Sequence, residues 1–174
     1  MTPPPPPLRV WLHPACLWGI GGVLALLVHA ILHLTPIARQ VVSLELSPGK
    51  LVFCALWVVF MAYTEGYRGF QKSFSPRVIS RALTLPSASR LSQLLAPLYC
   101  MTFFHSTRRR VVASWILWFC IVGFIIGIRM LPHEWRVILD VGVVVGLAWG
   151  SLSIVGHAVQ VLRGRSTLCD PELP

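Results

Sequence analysis

His29 and His33 stand four residues apart in an uncharged apolar run. On a helix that spacing stacks two imidazoles on one face, where they could share a metal ion or offer a haem ligand. Ala15, Gly22 and Ala25 fall on the same face, which is expected to point into a helix bundle. The commoner role of such a pair is hydrogen bonding to neighbouring helices, and that reading is preferred. A single iron held between His29 and His157 is disfavoured, because the two lie roughly 15 Å apart in depth at the helical rise.

The remaining ionisable residues sort by depth into two sets. Near the outer face fall His29, His33, His133, Glu134 and Asp140, with the three histidines as candidate metal ligands. Near the inner face fall Glu65, Tyr67, Arg68, His105 and His157. Glu65, His105 and His157 are the candidate catalytic residues, because ionisable groups at membrane depth are functional candidates by default. The simpler role for Glu65 is an ion pair with Arg68 one turn on. No phosphate-binding loop, H-E-x-x-H, G-x-S-x-G or C-x-x-C-H motif occurs, so the pattern names no cofactor. Cys16, Cys54, Cys100, Cys120 and Cys169 are odd in number, widely spaced and mostly set in apolar stretches. They read as small apolar residues, not as a disulfide framework or a zinc site.

The elements that would position these groups follow from composition. Of 174 residues, 55% are hydrophobic and 12% charged, and the mean hydropathy is +0.71. Soluble domains carry about 25% charged residues, so the solvent implied is lipid. The net charge of +9 is spread between apolar runs, which suits anionic headgroups better than nucleic acid.

The fold expected is an all-α integral membrane protein with four transmembrane helices, at 15–35, 48–65, 111–129 and 140–162. Residues 1–14 form a Pro-rich tail and 163–174 a second tail. Ser47, Pro48 and Gly49 mark the start of the second helix, and Lys50 can snorkel outward to lengthen it. Eleven of the 15 Lys and Arg residues then fall on one side: Arg9, the eight cations of 66–110, Arg163 and Arg165. The positive-inside rule places that side, with both termini, in the cytoplasm of a cytoplasmic (inner) membrane.

Residues 66–110 are the basic cytoplasmic interfacial segment. Its aromatic residues suit headgroup depth, while Arg68, Lys72, Arg77, Arg81 and the run Arg108, Arg109, Arg110 would meet lipid phosphates. Ser75 and Pro76 are expected to open an amphipathic helix with Arg77, Ser80, Arg81 and Thr84 along one stripe and Val78, Ile79, Ala82 and Leu83 along the other. Such a helix lies in the interface. Residues 91–105 are uncharged but broken by Pro97, and are expected to re-enter or lie on the inner leaflet, with a fifth span as the alternative.

Gly142, Gly146 and Gly150 recur every four residues in the last helix, and Ser153, His157 and Gln160 continue that line. Gly123 and Gly127 repeat the spacing in the third helix. Small residues let helices approach closely in lipid, so the two glycine faces are expected to meet within one chain, with a homo-oligomer contact as the rival. The function expected is non-enzymatic: an accessory or interaction protein meeting membrane lipids, a membrane-protein partner or a second copy through a basic inner face. A membrane enzyme or redox subunit using a histidine cluster is the alternative. A transporter or channel component ranks last.

Overall fold

The computed structural model describes residues 7–164, so the polyproline tail before Pro7, Arg165, Cys169 and the rest of the C-terminal tail lie outside the described residues. Every regular element among the described residues is helical. The short α1 (Leu8–Trp11) leads into α2 (Pro14–Ala38), whose first turn is opened by Pro14 and capped by His13. The His13 Nδ1 accepts from the Ala15 N–H at 3.3 Å. A 3-10 turn, Arg39–Val42, ends this rod. Next comes α3 (Pro48–Met61), with Ser47 in the cap position but its hydroxyl not bonded to the helix.

The chain does not leave the helical path at residue 65. A 13-residue π-helix, Ala62–Phe74, continues α3 directly into α4 (Ser75–Thr84) and the 3-10 turn Leu85–Ser87. Ser75 therefore starts no new helix; its N–H bonds to the Phe70 carbonyl, five residues back. The wide π turn has a local cause. Pro76 lacks an N–H and its ring crowds the carbonyl four residues earlier in an α-helix, and a wider turn before it relieves the clash.

Two five-residue helices, α5 (Arg90–Leu94) and α6 (Ala96–Cys100), follow, then α7 (Arg108–Arg129) and α8 (His133–Leu162). Among the described residues four continuous helical rods are long and apolar enough to cross a membrane: Pro14–Val42, Pro48–Ser87, Arg108–Arg129 and His133–Leu162. Neither α5 nor α6 is long enough to be a fifth. Large apolar side chains are exposed along all four rods, among them Leu32, Leu56, Phe119 and Leu152. A surface of this kind is what helices that face lipid present.

The starts of α2 and α7 and the end of α8 share one end of the bundle, called proximal below. The distal end is closed by polar contacts. His133 and Gln40 share a 2.8 Å hydrogen bond, and Lys50 pairs with Glu134 instead of reaching outward. From there α3 and its π continuation run parallel to α8, with Trp57 donating to the Leu139 carbonyl at 3.2 Å. The core lies toward the proximal end. It joins Cys16 and Val23 of α2, Val78, Ile79 and Ala82 of α4, Ala96, Tyr99 and Cys100 of α6, and Ile154 and Val161 of α8.

This core overturns the interfacial placement of α4. Both of its stripes are enclosed: Val78, Ile79 and Ala82 are fully buried, and so are Ser80 and Arg81 on the stripe expected to be wet. Small residues of α2 and α6 make the enclosure close. A Cβ on Gly19 would meet Leu85 at 2.8 Å and the Cys100 Sγ at 2.9 Å, and one on Gly22 would strike the Pro97 ring.

The glycine pairing is corrected too. Gly142, Gly146 and Gly150 of α8 receive the second rod, not α7. Trp57 and Met61 sit over Gly142, Glu65 over Gly146 and Phe70 over Gly150, where a Cβ would come within 2.6 Å of the ring. Gly123 and Gly127 have nothing within 4 Å of an added Cβ. The helix α7 stands off from the bundle because its start is tied elsewhere. Ser114 shares a 2.6 Å hydrogen bond with Thr102, and Trp115 packs edge-on against Phe103 at 5.4 Å.

Candidate functional site

The distal candidates do not converge. His133 is bonded to Gln40, Glu134 to Lys50, and Asp140 lies 3.9 Å from Arg136. His29 and His33 are exposed on α2, not turned into the bundle as expected, because the packing of α2 is concentrated in its first half, at Ala15, Cys16, Gly19, Gly22 and Val23. Among the described residues no three His, Cys, Asp or Glu side chains stand close enough to hold a metal ion.

The proximal triad also separates. Glu65 rests against Gly146 with its carboxylate exposed, and it forms no ion pair with Arg68. The π-helix explains this. With more residues in each turn, position i+4 rather than i+3 comes under position i, so Gly69 lies below Glu65, its added Cβ 3.7 Å from Oε2. His105 sits in the loop before α7 with φ 52°. His157 lies on α8 and lines a cleft that neither Glu65 nor His105 borders.

The basic residues divide into those held by the protein and those at its surface. Arg81, expected at lipid headgroups, is fully buried. Its Nε donates to the Tyr99 carbonyl at 2.7 Å, and its Nη2 donates to the carbonyls of Phe104 and His105 at 3.1 and 3.0 Å. The guanidinium carbon lies 4.3 Å from the centre of the Tyr99 ring. The 101–107 loop bends around this group, with Thr102 at φ 63°, a conformation that β-branched residues rarely take. Arg77 donates back to Ser73 at 2.8 and 2.9 Å, and Lys72 lies 4.5 Å over the Tyr67 ring. Arg68, Arg108, Arg109 and Arg110 are exposed.

Cys100, beside Arg81, is 1% exposed, and burial pushes its thiol from 9.0 up to about 12.

One concavity of about 330 Å³ opens at the flank of this end, between the π-helix and α8. Gln71, Trp149, Ser153, His157 and Gln160 supply its polar groups. Sequence reasoning placed Ser153, His157 and Gln160 on the glycine line; the structure separates them from it. Gly150 and Ile154 face the bundle, while the polar line opens outward. Gln71 and Trp149 were missed, since no periodicity links residues on two rods. No family model matches the chain, and neither a curated protein nor a solved structure matches it.

Proposed function

We propose that this chain is a small multi-pass protein of the cytoplasmic membrane, an accessory protein whose proximal end faces the cytoplasm and engages anionic lipid headgroups. The observation that carries this reading is the start of α7. Arg108 and Arg109 occupy the first turn of a helix with no acidic residue there, and both are exposed. Cations at a helix N-terminus oppose the macrodipole, so their position is unfavourable for the helix itself. Anionic phosphates at the membrane surface reverse that balance, at roughly 1 kcal/mol per cation. Trp115, two turns on, is exposed and suits the adjoining interfacial depth. The loosely packed α7, with Gly123 and Gly127 uncovered, is the face offered to a partner helix or a second copy.

The test uses the full-length protein in neutral detergent. Its unfolding midpoint is followed as phosphatidylglycerol or phosphatidylcholine is added. The anionic lipid is expected to raise the midpoint more, salt to weaken the effect, and Arg108→Gln with Arg109→Gln to remove most of the difference. Equal responses to the two lipids in the wild type would sink the headgroup reading.

A further inference from the structure

The cleft between the π-helix and α8 has the makings of a binding site. Trp149 Nε1 donates to the Gln71 Oε1 at 2.9 Å. An indole nitrogen can only donate, so the oxygen of the Gln71 amide is the near atom and its NH2 group is the one left over. That NH2, the Ser153 hydroxyl, the His157 ring and the Gln160 amide have no hydrogen-bond partner within the described residues. Four such groups on one apolar flank are costly in lipid unless something pairs with them.

Among the described residues no acidic side chain lines the cleft. Lys72 follows Gln71, and Arg163 lies one turn beyond Gln160, both exposed. Leu152, in the lining, and Val155 beside it are exposed on the same helix and give the cleft an apolar border. Gly156 keeps the floor open, with nothing within 4 Å of an added Cβ. The volume of about 330 Å³ suits a headgroup and the first carbons of its chains.

We infer that this cleft binds one phospholipid, with the headgroup phosphodiester accepting from Gln71, Ser153, His157 and Gln160 and an acyl chain lying along Leu152. A phosphodiester offers acceptors to all four side chains, and exposed Arg163, one turn beyond Gln160, favours an anionic lipid. The site rests on the reading that the proximal end meets headgroups, but uses different residues from Arg108 and Arg109.

The experiment measures binding of tail-labelled phosphatidylglycerol to the full-length protein in detergent by fluorescence anisotropy. Saturable binding at one lipid per chain is expected. Gly156→Leu, whose Cβ meets nothing within 4 Å and whose branched end would occupy the floor, is expected to weaken it about tenfold, and His157→Ala with Gln160→Ala by a similar factor. Phosphatidylcholine is expected to compete less well than unlabelled phosphatidylglycerol, and inorganic phosphate not at all. Wild-type affinity in Gly156→Leu overturns the cleft as the site. Full displacement by inorganic phosphate overturns the lipid and assigns the cleft to a free anion. If Arg108→Gln with Arg109→Gln loses its lipid response in the unfolding assay while Gly156→Leu binds normally, the surface reading stands and the cleft falls. The reverse pattern keeps the cleft and removes the surface reading.

Discussion

Arg81 and Tyr99 meet twice: the guanidinium Nε donates to the tyrosine carbonyl at 2.7 Å, and the guanidinium carbon lies 4.3 Å from the centre of the ring. The Tyr99 hydroxyl lies 3.1 Å from the Thr84 hydroxyl, one turn beyond Arg81 on α4. One residue of α6 thus grips α4 at two points. The fork of donors on Arg81 also holds the carbonyls that shape the loop into α7. A planar, permanently charged group can serve several carbonyls at fixed angles.

Arg81→Lys keeps the charge and loses the fork, so it is expected to lower the unfolding free energy by about 1.5–3 kcal/mol, the range for hydrogen bonds to charged groups. Arg68→Gln, at an exposed position, is expected to stay within about 0.5 kcal/mol. Thermal unfolding in detergent checks both. Similar midpoints for Arg81→Lys and the wild type would show that the guanidinium geometry does not hold the loop.

The two glycine lines are expected to respond in opposite ways. A Cβ at Gly150 would meet the Phe70 ring at 2.6 Å, so Gly150→Ala forces the π-helix away from α8 and is expected to destabilise by about 1–3 kcal/mol. Gly127→Ala meets nothing and gains helix propensity, so it is expected to be neutral or to stabilise by about 0.5–1 kcal/mol. Equal losses at both positions would mean that α7 is packed as tightly as the second rod.

These pairs show what the sequence could convey. Four apolar helices were legible, because uncharged length is a property of each segment alone. The glycine spacing of α8 was legible as a close-packing face, but not its partner. Gly123 and Gly127 carry the same spacing, and only the three-dimensional path of the second rod decides between them. That path depends on the π-helix at Ala62–Phe74, which leaves no periodic signature. The stripe containing Arg81 read as a wet face because arginine is almost never fully buried. What holds Arg81 inside is a set of groups distant in sequence, the Tyr99 ring and the carbonyls of Tyr99, Phe104 and His105, and no local pattern on α4 announces them.

Cys100 is expected to be inert in the folded protein. The thiolate is the reactive form, and a thiol pushed up to about 12 is almost wholly protonated at neutral pH. In a variant with Cys100 as the sole cysteine, a maleimide at pH 7.5 is expected to label only unfolded protein. The pH dependence has a definite sign. The folded value lies above the unfolded 9.0, so the contribution to stability is whole below about pH 9 and is lost as pH rises toward 12. The stability difference between this variant and its Cys100→Ala derivative is expected to shrink over that window. Rapid labelling of native protein would show the site to be open.

The last prediction concerns orientation. Eleven of the 15 Lys and Arg residues belong to the proximal end or the segments joined to it, and the distal end holds Arg39, Lys50, Arg129 and Arg136. Cations resist transfer across the membrane, so the proximal end is expected to face the cytoplasm. Two exposed loop positions report on it: Ser43 at the distal end and Thr107 beside the start of α7. Ser106 is a poorer reporter, since it is only 8% exposed. In a cysteine-free background, Ser43→Cys is expected to react with an impermeant maleimide added to intact cells. Thr107→Cys is expected to react only after the membrane is opened. The opposite pattern would place Arg108, Arg109 and the cleft at His157 in the outer leaflet. It would leave the packing of the four rods untouched but remove the cytoplasmic surface charge on which the headgroup proposal depends.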